Sequence, residues 1–374
     1  MPTPVTAAVV REVGAPFTLE RLLLDDVRPD EVLVRIEAVG LCHTDLAVRH
    51  GHLPTKFPVA LGHEGAGVVE QVGSAVTGLA EGDRVALSFA TCGACRACLT
   101  GRRAHCLRTP QLNLGGLRQD GTSTASDAAG SAVNGSFFGQ SSLATHSVVA
   151  ARNVVKVPGD QPAHLVAPLG CGIQTGVGTV LNSLAVPAGA AVLITGTGAV
   201  GLAAVMGAVV AGATTIIAVD VVAERLSLAR QLGATHTIDT SASDVRLERV
   251  VREITGDGAT HGVDTTGVGP VVESVLRATC FGGSVALVGV PRPGTGVDLG
   301  LISASGRTVV GAIEGDSVPQ AFIPDLLALH TAGRLPVERL VRTYPFSALA
   351  DAVDDTTAGR TVKAVLLMPE PDVV

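Results

Sequence analysis

Residues 190–220, AAVLITGTGAVGLAAVMGAVVAGATTIIAVD, restrict the possible folds more than any other stretch. The apolar run Val192-Leu193-Ile194 reads as a buried parallel strand. It leads into Gly196-Thr197-Gly198-Ala199-Val200-Gly201, an Ala/Val-rich helix, and a second strand from Thr215 to Val219 that ends in Asp220. This is a βαβ unit with glycines at the spacing a dinucleotide pyrophosphate requires. Gly196 permits the tight turn, Gly198 lets the backbone approach the phosphates, and Gly201 lets the helix pack on the strand. The helix N-terminus offers unpaired N–H groups and a positive dipole end. Asp220 stands nineteen residues after Gly201, where a carboxylate accepts hydrogen bonds from an adenosine ribose and repels a 2′-phosphate. NAD is therefore expected over NADP.

Helix and strand continue to alternate: helix 223–232, strand 235–239, helix 245–255, strand 262–265, helix 271–278, then strands 284–289 and 308–312. With the first two strands this makes six, the number of a doubly wound dinucleotide domain. Residues 161–219 contain no Asp, Glu, Lys or Arg. A membrane span needs about 20 unbroken apolar residues, and Pro168, Gln174, Asn182, Ser183 and Pro187 interrupt this stretch. Buried strands and helices of a parallel sheet account for it better. No basic segment precedes an apolar run at the start, so a soluble, cytoplasmic protein is expected.

A length of 374 residues suits two domains of roughly 100–200 residues each. The net charge of −7, the absence of Trp and the single Tyr344 argue against nucleic acid or an anionic membrane as partner. Segments 5–10, 31–39, 65–72 and 84–89 are Val-rich and separated by Gly, Pro and Asp, the pattern of a β-barrel-like module. Within it lie Gly40-Leu41-Cys42-His43-Thr44-Asp45 and Gly62-His63-Glu64-Gly65. On spacing alone this is either a metal site or a buried Cys and a turn-capping His, since 21 positions separate Cys42 from His63. Cys92, Cys95, Cys98 and Cys106 are more specific: four thiols within fifteen residues, on tight turns, can converge tetrahedrally on zinc. Paired disulfides are the rival reading, and nothing in the sequence indicates secretion. Such a closed site is structural. Residues 107–147, with Phe137-Phe138, read as long loops that either line a pocket or lie on the surface. After Gly315, helices 319–331 and 346–357 and strand 362–368 are expected to return to the first domain.

Cys-His-Thr-Asp, Gly-His-Glu-x-x-Gly, the four-Cys lobe and GxGxxG occur in that order. The chain thereby resembles the zinc-dependent medium-chain alcohol dehydrogenases from about residue 5 to residue 368. GHEGAGVVEQVG (62–73), LGCGIQTGVGTVLN (169–182), ATTIIAVD (213–220), DTTGV (264–268) and EGDSVPQAFIP (314–324) look most like the aryl- or benzyl-alcohol branch. The resemblance implies a GroES-like β-rich catalytic domain over 1–172 with a structural zinc lobe at 92–106. It further implies a Rossmann domain over 173–313 and a return to the catalytic domain over 314–374.

The resemblance also implies two zinc ions per subunit. Cys42, His63 and Cys171 would hold the catalytic one, with the fourth position open to water or substrate; Cys92, Cys95, Cys98 and Cys106 would hold the other. Asp45 would orient His63, and Glu64 would lie behind the metal. Thr44 would bond the alcohol and pass on its proton. His43 and Lys363 would meet the cofactor pyrophosphate, and Thr175 the nicotinamide. Gly196, Gly198, Ala199, Val200, Gly201, Asp220 and Val288 complete the NAD contacts. Arg225 is either a ribose contact or a solvated helix residue. The family's usual proton-relay His falls on Ala47, so the relay ends either in solvent or at His50 or His52. Leu53, Phe89, Phe137, Phe138 and Ile313 form an apolar set suited to a bulky alcohol. Cys280 has no role and is expected to be buried and inert.

The function implied is hydride transfer between a primary, aromatic or allylic alcohol/aldehyde pair and NAD. Two alternatives share the fold: a biosynthetic aldehyde reductase, and an enzyme that redox-activates a hydroxyl for a non-redox step. A non-catalytic NAD- or zinc-binding protein is disfavoured by the intact ligand set. A homodimer or homotetramer is expected, built through the last strand of the cofactor sheet.

Overall fold

Strand Glu31–Gly40 carries apolar residues on both faces. Val32, Val34 and Ile36 point into one core while Leu33 joins Val5, Leu22 and Ala60 in another. A strand buried on both sides loses the polar alternation of a surface strand and must be sandwiched. The computed structural model, which describes residues 2–242 and 245–369, places it at the heart of the first of two units.

That unit comprises Met1–Cys171, Val318–Ala328 and Val337–Val374. One of its sheets runs in the order Val59–Ala60, Thr3–Val10, Thr18–Leu24, Ala125–Ser126, Ala132–Val133, all antiparallel. The other runs Val154–Lys156, Arg84–Leu87, Gly65–Val72, Glu31–Gly40, Lys363–Leu367, Val341–Pro345, with His146–Ala150 also paired to Glu31–Gly40. The C-terminal strand returns here because Val365 and Leu366 pair with Gly40 and Val39, and Ala364 and Leu366 are fully buried. Strand Thr18–Leu24 is absent from the sequence expectation. Its outward face carries two leucines, Leu19 and Leu23, beside Arg21, and its inward face starts with Glu20 before Leu22 and Leu24, so the sequence shows no polar–apolar alternation to separate it from a loop.

The second unit comprises Gly172–Ser317 and Leu329–Pro336. Its sheet is wholly parallel, in the order His236–Asp239, Thr215–Asp220, Ala191–Thr195, Ala259–Asp264, Thr279–Leu287, Thr308–Gly311. In chain order this is 3-2-1-4-5-6, the doubly wound arrangement expected. Gly196 takes φ +81°, and a Cβ on Gly201 would sit 1.8 Å from the Gly196 carbonyl oxygen. The turn therefore excludes any side chain where helix Ala199–Ala211 crosses it. The fifth strand begins at Thr279, earlier than expected, through an irregular pairing between Ala259 and His261. Consequently Cys280 lies half-buried within that strand, and the expectation of full burial is corrected. Among the described residues no helix is long and apolar enough to cross a membrane.

Candidate metal centres and nucleotide site

Pairing of Val39 with Gly65 sets the end of one central strand beside the start of the next. The loop after Gly40 and the loop before Gly65 thus run side by side, tied by Gly40 N to Glu64 O at 3.0 Å. This register brings Cys42 to His63 across the sequence gap.

Cys42 caps helix His43–Arg49, and Asp45 in its first turn binds three donors. Its Oδ2 accepts from Cys42 N at 3.0 Å, while its Oδ1 accepts from Gly62 N and faces His63 Nδ1, each at 3.0 Å. Asp45 and His63 are both fully buried. The Nδ1–carboxylate bond fixes the ring so that Nε2 presents its lone pair. That Nε2 is buried without a hydrogen-bond partner. Ligand atoms of Cys42, His63, Glu64 and Cys171 all lie within 4.8 Å of one another. Hydrogen bonding to Cys171 chiefly holds the Cys42 thiol well below its usual range, with burial opposing and His63 assisting. Two soft sulfur donors, an orphaned imidazole nitrogen and a fixed ring fit a three-ligand zinc site.

Glu64, whose carboxylate reaches this cluster, is also held from its far side by a lysine. Lys363 Nζ lies 2.8 and 2.9 Å from its two oxygens and 3.3 Å from the Leu41 carbonyl, with both side chains buried. Lys363 therefore does not present a cation to a pyrophosphate, and that expectation is corrected: the acid beneath the metal site holds it instead.

Phe138 stacks on the His63 ring at 4.5 Å, and Phe137 meets it edge-on at 5.6 Å. Phe89 and Phe137 are core residues, so neither lines an open pocket as expected; Leu53 and Phe138 are half-buried and Ile313 is exposed. Gln140, which the sequence reading passed over, is fully buried. Its Oε1 accepts from Gly65 N at 3.0 Å and its Nε2 donates to the His63 carbonyl at 3.0 Å. Nothing in the sequence marks this Gln as a clamp. Ala47 is buried, and His50 and His52 are exposed with ring centroids 6.0 Å apart.

The four-Cys lobe also closes. Its sulfurs lie within 4.8 Å of one another, Cys95 and Cys98 at 3.5 Å, and no disulfide forms. Backbone N–H groups of Cys98 and Leu107 bring the Cys95 thiol down to about 6, whereas burial pushes Cys98 up to about 12. Four thiolates can share this space only around a cation. The donor set fits zinc.

In the second unit, Thr197 donates from both N and Oγ1 to Asp220 Oδ2, at 2.6 and 2.7 Å. Asp220 Oδ1 accepts from Val221 N and Val222 N. The acid is thus fixed at the strand end beside the glycine turn. Ala199 and Val200 open the helix capped by Gly198, and Val288 N bonds the Asp264 carbonyl. Arg225 Nε is buried without a partner. Thr175 is buried in helix Gly172–Gly178, and His43 of the first unit is exposed.

Residues 28–159 match the family described as alcohol dehydrogenase GroES-like domain, and residues 199–331 match zinc-binding dehydrogenase. Geraniol dehydrogenase of Castellaniella defragrans is 44% identical over 363 residues, 96% of this chain and 97% of that protein. A zinc-binding-domain alcohol dehydrogenase protein from Burkholderia ambifaria superposes with a TM-score of 0.95 at 47% identity, covering 99% of this chain and 100% of that one. Benzyl alcohol dehydrogenase from Acinetobacter calcoaceticus gives 0.93 at 39% identity, covering 98% and 100%. The chain belongs to the zinc-binding medium-chain alcohol dehydrogenases.

Asp45→Asn tests the ring-orienting bond. The variant is expected to lose about 10–100-fold in metal affinity, measured by competition with a chromophoric chelator. Unchanged affinity would remove Asp45 from the site.

Proposed function

We propose that the protein interconverts primary aromatic or allylic alcohols and their aldehydes with NAD. The observation that carries this reading is the buried Cys42–His63–Cys171 cluster, whose orphaned Nε2 is aimed by Asp45. The similarity to proteins named for geraniol and benzyl alcohol supports the substrate class. The unit Met1–Cys171, Val318–Ala328 and Val337–Val374 is the catalytic domain and the unit Gly172–Ser317 with Leu329–Pro336 the cofactor domain, so the return expected from residue 314 begins at Val318 instead. Cys42, His63 and Cys171 hold a catalytic zinc, and Cys92, Cys95, Cys98 and Cys106 a structural one. When bound, zinc supplies a Lewis acid and NAD⁺ a hydride acceptor.

The chain's own residues do the rest. Thr44, with Oγ1 3.7 Å from Cys42 Sγ, accepts the proton of the substrate hydroxyl at Oγ1 and passes on its own. Ala47 offers no acceptor, so the proton leaves to solvent or to the exposed His50 or His52. Asp220 and Arg225 bind the adenosine ribose, and the fixed carboxylate repels a 2′-phosphate. The Gly196–Gly201 turn and helix N-terminus receive the pyrophosphate with His43. Thr175 and Val288 flank the nicotinamide. Phe138 and Leu53 offer apolar surface to the alcohol. The subunits assemble as dimers or tetramers through strand Thr308–Gly311.

The test is NADH absorbance from zinc-replete protein with NAD⁺ and alcohols from ethanol through benzyl alcohol to geraniol. NADH formation largest for benzyl alcohol or geraniol, lost on chelation and restored by zinc, is expected. A flat trace from protein that binds NAD⁺ would overturn the assignment in favour of a dedicated biosynthetic or non-redox role.

A further inference from the structure

Glu314, Gly315 and Asp316 adopt φ of 50°, 61° and 50°, three successive left-handed residues of which two carry side chains. Such a run persists only where the surroundings fix it. Here they do. A Cβ on Gly315 would lie 2.4 Å from the Gln174 carbonyl oxygen and 2.7 Å from the Gly178 Cα, so the turn is pressed onto helix Gly172–Gly178. Asn182 Nδ2 donates to the Gly315 carbonyl at 3.0 Å, and Ser317 Oγ donates to Gln174 Oε1 at 3.0 Å. The consequence is the placement of one carboxylate. Glu314 is 9% exposed, and its Oε2 accepts from Gln174 Nε2 at 3.1 Å and from Thr175 Oγ1 at 3.4 Å. A simple turn has no need of a buried acid, and Glu is a poor residue for a left-handed position.

We propose that Glu314 is a positioning residue of the nucleotide site. It holds the Thr175 hydroxyl in one orientation and, as a buried negative charge there, makes the site prefer the oxidised, cationic nicotinamide over the reduced, neutral one. The inference rests on the reading above that Thr175 flanks the nicotinamide. The chemistry is electrostatic: NAD⁺ and NADH share every group but the ring, so a fixed charge beside the ring separates their affinities.

The experiment measures dissociation constants of NADH by its fluorescence, and of NAD⁺ and ADP-ribose by competition, on the zinc-loaded full chain. Glu314→Gln is expected to weaken NAD⁺ about ten-fold, the scale of one charge acting across a partly polar interior. NADH and ADP-ribose should change less than about two-fold, since neither carries the ring charge. Glu314→Ala predicts the same change in the NAD⁺/NADH ratio, and a ratio of constants does not depend on the fraction of protein that folds. Equal weakening of NAD⁺ and NADH, or of ADP-ribose as well, would make Glu314 a purely structural residue and overturn the proposal. Failure of ADP-ribose to compete with NADH in the unmodified protein, or no effect of Thr175→Val on either nucleotide, would overturn the nucleotide reading itself.

Discussion

Cys171→Ala is expected to lower kcat by at least about 10³-fold, because a Lewis acid contributes several kcal/mol to such a reaction and each ~1.4 kcal/mol is tenfold. NADH affinity should stay within about two-fold, since the nucleotide contacts proposed above lie on other residues. The variant should also bind less metal, read by elemental analysis against the four-Cys lobe as internal standard. Retention of more than a tenth of the activity after that loss would sink the proposed role of the cluster.

The site's residues were visible in the sequence to different degrees, and distance along the chain explains why. The four lobe cysteines are legible because a single short loop carries all of them. Cys42, His63 and Cys171 are not, since strand register and the course of the chain bring them together; only the family resemblance named them. The parallel sheet was legible because its strands are apolar runs separated by glycine turns and helices. The Lys363–Glu64 pair was hidden by its separation of 299 residues. So were the clamp at Gln140 and the turn at Glu314, whose φ values contradict the ordinary preference of their residue types. Phe89 and Phe137 misled because an aromatic beside a site reads the same whether it faces substrate or core.

Lys363→Met is expected to destabilise the protein by about 3–5 kcal/mol, since it leaves a buried carboxylate without its partner. Burial holds Glu64 above the usual carboxylate range, with the Cys42 thiolate adding to the rise and Lys363 opposing it. Burial likewise opposes the charge on Lys363, but Glu64 and then the Cys42 thiolate more than offset it, so Lys363 is raised above the ordinary lysine value. A raised lysine contributes stability that is complete below its unfolded value and lost only as pH climbs through the folded one. The lysine therefore keeps its charge throughout the neutral range. The double variant Lys363→Met with Glu64→Leu should recover most of the loss, because no charge is then stranded. Denaturant midpoints for the two single variants and the double measure this coupling. A single-variant cost below about 1 kcal/mol, the value of an exposed ion pair, would show that water reaches the carboxylate.

The charge-free stretch that builds the centre of the parallel sheet also decides how the protein fragments. Trypsin, which needs Lys or Arg, finds no cleavage point between Lys156 and Arg225. Cys171, Thr175 and the whole glycine turn therefore travel in one peptide. Alkylation of that peptide's only cysteine, followed by its mass, reports whether a bound ion shields Cys171 without any assay of turnover.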